Sequence, residues 1–85
     1  MKIHYSSKFA KEYKSLPKRI KLLAEKKEMI FRKNPFEPGL KTHKLSGKLK
    51  DYYSFSIDYQ TRIIFEFRDK NSVWFHSVGT HEIYR

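Results

Sequence analysis

Three places in this 85-residue chain carry residue types that can do chemistry on a phosphodiester. The first is His81-Glu82-Ile83-Tyr84, just past Gly79. Imidazole exchanges a proton near neutral pH without special tuning, so His81 suits general acid–base work. Taken alone, such a histidine is more often structural or solvent-exposed than catalytic. The second is Arg62, which opens the run Arg62-Ile63-Ile64-Phe65. A guanidinium held on a strand can clamp a phosphate whose charge grows in the transition state. The plain alternative is an ion pair with Asp58 or Glu66. The third is Lys41 to Lys50, with four lysines and His43 in ten residues. Gly47 frees the backbone to turn, while Lys44, Lys48 and Lys50 offer point charges to phosphates. The plain alternative is a solvated loop. His76, inside an apolar run, is expected in or beside the core, and His4 is assigned no role.

Absent motifs narrow the chemistry further. Cysteine is missing, which excludes disulfides, thiol catalysis and the usual structural zinc sites. His76 and His81 are five apart across a glycine with no carboxylate cluster to complete a ligand set, so neither a metal nor another cofactor is expected. The phosphate loop, the dinucleotide fingerprint and the Gly-x-Ser-x-Gly elbow do not occur. Metal-free cleavage of RNA stays open. There the 2′-hydroxyl already lies beside the scissile phosphate, and a base, an acid and a cationic clamp suffice.

Charge points the same way. Nineteen Lys and Arg against nine Asp and Glu give +10, and residues 1–40 hold 11 of the basic side chains against 4 acidic ones. A small body so charged attracts polyanions at long range, nucleic acid first among them. A lysine-rich solvated surface and an acidic protein partner are the alternatives. With 39% hydrophobic and 16% aromatic residues the chain is expected to pack as one domain, 1–85, rather than remain disordered. No apolar run exceeds three residues and the start resembles no signal peptide, so no membrane association and a cytoplasmic location are expected.

These groups need a scaffold, and periodicity supplies one. Lys2 to Tyr5 alternates as a short strand, and Ser6-Ser7 offers a hydroxyl cap to a helix over 7–16. Pro17 suits the first turn of a second helix, whose stripe of Ile20, Leu23, Ala24, Ile30 and Phe31 runs to Lys33 before Asn34-Pro35 stops it. From Lys41 the period becomes two. Tyr53, Phe55, Ile57 and Tyr59 share one face; in the next strand Ile63, Phe65 and Phe67 share it while Arg62, Ile64, Glu66 and Arg68 point the other way. Val73 to Val78, apolar on both faces, reads as an interior strand. The order β-α-α-β-β-β predicts an α+β fold in which the N-terminal strand and a helical hairpin pack on one face of a mainly antiparallel sheet, leaving the other face open.

The whole chain resembles the RelE/ParE superfamily of type II toxins. The resemblance rests on that element order and on Phe9 to Pro17, His43 to Tyr52, Tyr59 to Phe65 and Val78 to Tyr84. It is closest to the RelE/StbE, YafQ and YoeB branches, which cleave mRNA on the ribosome. The resemblance implies an endoribonuclease without a small-molecule cofactor, with mRNA, the ribosome and a cognate antitoxin as partners. It implies that Arg62 stabilises the phosphate, that His81 transfers a proton, that His43 takes part in catalysis and that Tyr84 matches a C-terminal tyrosine. The YafQ-type histidine and aspartate of the second strand are replaced by Ser56 and the stretch Asp58 to Gln60, and no acid lies between Lys41 and Lys50. Two other readings belong to the same fold: a ParE-like toxin directed at DNA gyrase without nuclease activity, and a degenerate module that only binds.

Overall fold

The computed structural model describes residues 1–84, His81 by its backbone alone. Strand β1 (Lys2–Tyr5) leads into helix α1 (Ser7–Lys14) and helix α2 (Lys18–Lys33); strands β2 (His43–Lys44), β3 (Tyr53–Ser56), β4 (Arg62–Asp69) and β5 (Ser72–Gly79) follow. The sheet order is β1-β5-β4-β3-β2, with β1 parallel to β5 and every other pair antiparallel. This is the expected α+β architecture with one extra, two-residue strand at the edge. No helix of the described residues is long and apolar enough to cross a membrane.

Local chemistry sets the helix boundaries. The Ser6 hydroxyl accepts the Phe9 N–H, satisfying one of the orphan donors at the start of α1. That helix stops at Lys14, earlier than its apolar pattern suggests, because Ser15 turns its N–H onto the Glu12 carbonyl and Leu16 its N–H onto the Tyr13 carbonyl. Pro17 stands just before the first turn of α2, and Asn34 takes an extended conformation ahead of Pro35, as the residue preceding a proline must.

Both helices place their apolar residues on one side of the sheet. Phe9, Ile20, Ala24 and Phe31 meet Ile3, Phe55, Ile63, Phe65, Val73, Phe75 and Val78 in a single core. Phe31 is fully buried, stacked on Phe55 with ring centres 4.8 Å apart and edge-on to Phe65 at 4.9 Å and Phe75 at 5.4 Å. Two expected core residues lie elsewhere. Ile30 is 37% exposed, because helical rotation carries it off the stripe that Phe31 occupies. Tyr59 is 90% exposed, because β3 ends at Ser56 and the chain is already turning. In that turn the Asp58 carboxylate accepts the N–H groups of Gln60 and Thr61 at 2.9 and 2.7 Å. Burial opposes its ionisation, but these N–H donors, the Thr61 hydroxyl and the Arg19 charge outweigh it and hold its carboxyl below the ordinary aspartate range.

Strand β1 pairs β5 only from Ser72 to Phe75. Beyond it, the cap residue Ser6 and helix α1 supply the missing partners. Ser6 N–H donates to the Phe75 carbonyl at 3.0 Å, and the Ser6 hydroxyl donates to the His76 carbonyl at 2.8 Å. Glu12 Oε1 accepts from the Val78 N–H at 3.1 Å and from the Ser77 hydroxyl at 2.8 Å, while Lys8 neutralises the carboxylate at 3.0 Å.

Candidate functional site

The sheet face turned away from the helices carries the candidate residues. Cross-strand partners share a face, so the rows across the sheet place them. One row runs Ser56, Arg62, Gly79; the next runs His43, Ser54, Ile64, Ser77. Arg62 therefore stands between two small residues and is itself half-buried, while Ser54, Ser56, Ile64 and Ser77 around it are buried. Its Nη1 donates to the carbonyls of Asp58 at 2.6 Å and Thr61 at 3.2 Å. Neither Asp58 nor Glu66 forms an ion pair with it among the described residues: the Asp58 carboxylate is occupied by the turn and Glu66 by His76 and Arg68.

Past Gly79 the chain forms a 3-10 turn, His81–Tyr84, folded back on the end of β5. Glycine is required there for space. A Cβ at position 79 would meet Ile83 Cγ2 at 2.8 Å, closer than such contacts occur. The turn brings the Tyr84 hydroxyl to 2.8 Å from the Ser54 hydroxyl, one row from Arg62. The His81 backbone opens this turn two residues beyond Arg62's neighbour Gly79; its side chain lies outside the described residues.

His43 is exposed on edge strand β2, directly opposite Ser54, with Nδ1 donating to the Lys41 carbonyl at 3.1 Å. It shares with Tyr84 the face turned away from the helices and stands two strands from Arg62. Lys44 does not join it. Strand alternation turns Lys44 with Tyr53, whose ring packs on Phe65 and Phe67 at the helix side of the sheet. Lys48 and Lys50 are exposed on the Gly47–Leu49 turn and its C-terminal cap. Gly47 takes φ +66° with open space around its Cβ position, so backbone conformation alone requires glycine.

One group escaped the sequence. His76 does not pack in the core: Ile64 opposes Ser77 and Phe65 opposes Phe75, so His76 is the extra residue of a β-bulge. Its Nε2 lies 2.9 Å from Glu66 Oε1 on the open face. His76 stacks beside Trp74, and Trp74 beside His4, while Tyr52 meets His76 edge-on. The signal was the alternation of Trp74 and His76 with the core residues Val73 and Phe75. Among the described residues no three His, Asp or Glu side chains gather as a metal-binding group.

A sequence profile of the YafQ toxins of bacterial type II toxin–antitoxin systems matches residues 1–84. The chain belongs to the YafQ toxin family. Solved structures agree on the fold of this toxin. YafQ from E. coli superposes with a TM-score of 0.80 at 23% identity, covering 96% of this chain and 94% of that one. The E. coli DinJ–YafQ toxin–antitoxin complex gives 0.72 at 27% identity over 95% and 92% of the two chains. The YoeB–YefM complex from Staphylococcus aureus gives 0.78 at 24% identity over 95% and 97%. No curated protein sequence matches the chain significantly.

Proposed function

We propose that this YafQ-family toxin is a metal-independent endoribonuclease that cuts mRNA on the ribosome and is held in check by a cognate antitoxin. The observation that carries the reading is Arg62, flanked by Ser56 and Gly79 on the sheet face turned away from the helices, beside the turn that bears His81 and Tyr84. In this reaction the 2′-hydroxyl oxygen attacks the adjacent phosphorus while His43 takes its proton. The bond to the 5′-oxygen breaks as His81 protonates that oxygen. The products are a 2′,3′-cyclic phosphate and a 5′-hydroxyl. Arg62 answers the extra charge on the phosphoryl oxygens, and a preorganised cation at that place lowers the barrier directly. Tyr84, tied to Ser54, orients His81 or supports a base. The partner assignment follows the toxin–antitoxin complexes solved for DinJ–YafQ and YoeB–YefM.

Ribosomes programmed with a short message provide the test, with product ends read for a cyclic phosphate. His81→Gln is expected to cut about 10² to 10⁴ times more slowly while binding antitoxin as before. Full activity in that variant overturns the acid assignment. Growth arrest without any cleavage by the unaltered protein transfers the reading to a gyrase-directed toxin.

A further inference from the structure

Far from Arg62 on the same sheet face stands a second group of rings and charges that the proposed reaction does not use. Two β-bulges build it. His76 is the extra residue between the pairs Ile64/Ser77 and Phe65/Phe75, and Arg68 is the extra residue between Phe67/Val73 and Asp69/Ser72. Together they deliver an imidazole and a guanidinium to Trp74. His4, Trp74 and His76 stand in a row with ring centres 5.3 and 6.1 Å apart and planes within 21° and 22°. The Arg68 guanidinium lies 4.7 Å from the centre of the Trp74 ring, its side chain half exposed. Glu66 joins the set from β4, 2.9 Å from His76 and 3.3 Å from Arg68.

A sheet face that needs only to be wetted is polar as a rule. This one instead aligns three flat rings and a planar cation where no helix covers them. The row ends at His4 on β1, the outermost strand, so no neighbouring strand stands beside the outer side of its ring. A flat base can continue the row there, and Arg68 can meet a phosphate or stack in its own right. The net charge of +10 favours a polyanionic occupant.

We propose that His4, Trp74, His76 and Arg68 form a stacking site for unpaired RNA bases, separate from the cleavage centre. It rests on the reading of the toxin as RNA-directed. Arg62 and Arg68 are six residues apart on β4, about 20 Å at the rise of a strand, so one single strand of RNA crosses the sheet from the cleavage centre to the row. The row grips the message by its bases with little regard to their identity, because every base offers a flat face.

Trp74 is the only tryptophan, so the row reports on itself. The toxin and its His81→Gln variant are titrated with a short single-stranded oligoribonucleotide of 2′-O-methyl sugars, which cannot be cut, and with heparin at matched charge. The oligonucleotide is expected to quench Trp74 fluorescence in both proteins and heparin is not. Trp74→Leu and Arg68→Gln are expected to weaken oligonucleotide binding about 5- to 100-fold. Arg68 is exposed, so its variant decides the matter even where Trp74→Leu fails to fold. Quenching by heparin equal to that by RNA, no quenching at saturation, or unaltered affinity in Arg68→Gln overturns the proposal. So does loss of antitoxin binding with RNA affinity intact, which assigns the row to a protein partner. A toxin that is quenched but never cuts refutes the nuclease and keeps this site; one that cuts without quenching does the reverse.

Discussion

At the scale of single residues, Arg62 shows how a turn prepares a cation. Two backbone carbonyls hold Nη1, while Nε and Nη2 make no hydrogen bond among the described residues, so one edge of the fork is anchored and the other is available. Lysine keeps the charge and loses this geometry. Arg62→Lys is therefore expected to lower the cleavage rate by about 10² to 10³. The salt dependence of RNA binding should stay as it was, since charge is conserved; a parallel loss of slope and rate would reduce Arg62 to a general attractor of phosphate. The open-face position of Arg62 was legible from alternation with Ile63 and Phe65. What holds it was not. The sequence offers Asp58 as an ion-pair partner, but its carboxylate is consumed by two N–H groups that converge only once the turn has formed. The apolar neighbours of His76 suggest a place in or beside the core, whereas alternation with Val73 and Phe75 turns it to the opposite face; the bulge beside it leaves no mark in composition.

At the scale of elements, α1 acts as a substitute strand. Its Glu12 caps the open edge of β5 by accepting from the Val78 N–H and the Ser77 hydroxyl. Burial works against the charge on Glu12, yet Lys8, Ser77 and the Val78 N–H together keep its carboxyl below the ordinary glutamate value of 4.5. A carboxyl held low in the folded state contributes stability above its unfolded pKa and loses it as pH falls through the folded one. Thermal stability should accordingly decline below about pH 4.5, and Glu12→Gln should flatten that decline. Glu12→Ala leaves an edge N–H and a hydroxyl without their acceptor, at a cost of about 1 to 3 kcal/mol in chemical denaturation. An unaltered midpoint would show that water replaces the carboxylate freely. The helices themselves were readable because hydroxyl caps, prolines and a 3.6-residue stripe agree on them. Strand β2 was not, since two residues carry no period, and its existence depends on Tyr53 and Ser54 offering an edge to pair with.

At the scale of the whole molecule, the excess of positive charge would set how strongly the proposed RNA binding responds to salt. Neutralising a lysine that holds a phosphate should take about 0.7 to 0.9 from the slope of log affinity against log salt. Lys48→Gln and Lys50→Gln are expected to show that decrease. Lys44→Gln, on a side chain that alternation turns toward the helix side, is expected to show less; equal effects from all three would mean that charge acts only through its total. The topology has a further consequence, and it concerns time. Strand β1 is made first but pairs with residues 72–75, and Ser6 bonds to strand β5 at Phe75 and His76. Pairings of such sequence separation form late, because the intervening chain must be in place before they can close. The face that holds Arg62 between Ser56 and Gly79 cannot be assembled on a nascent chain that has not yet delivered strand β5. On the proposed ribosome-directed activity, a toxin that folds in this order would spare the ribosome that is making it until its synthesis has passed that strand.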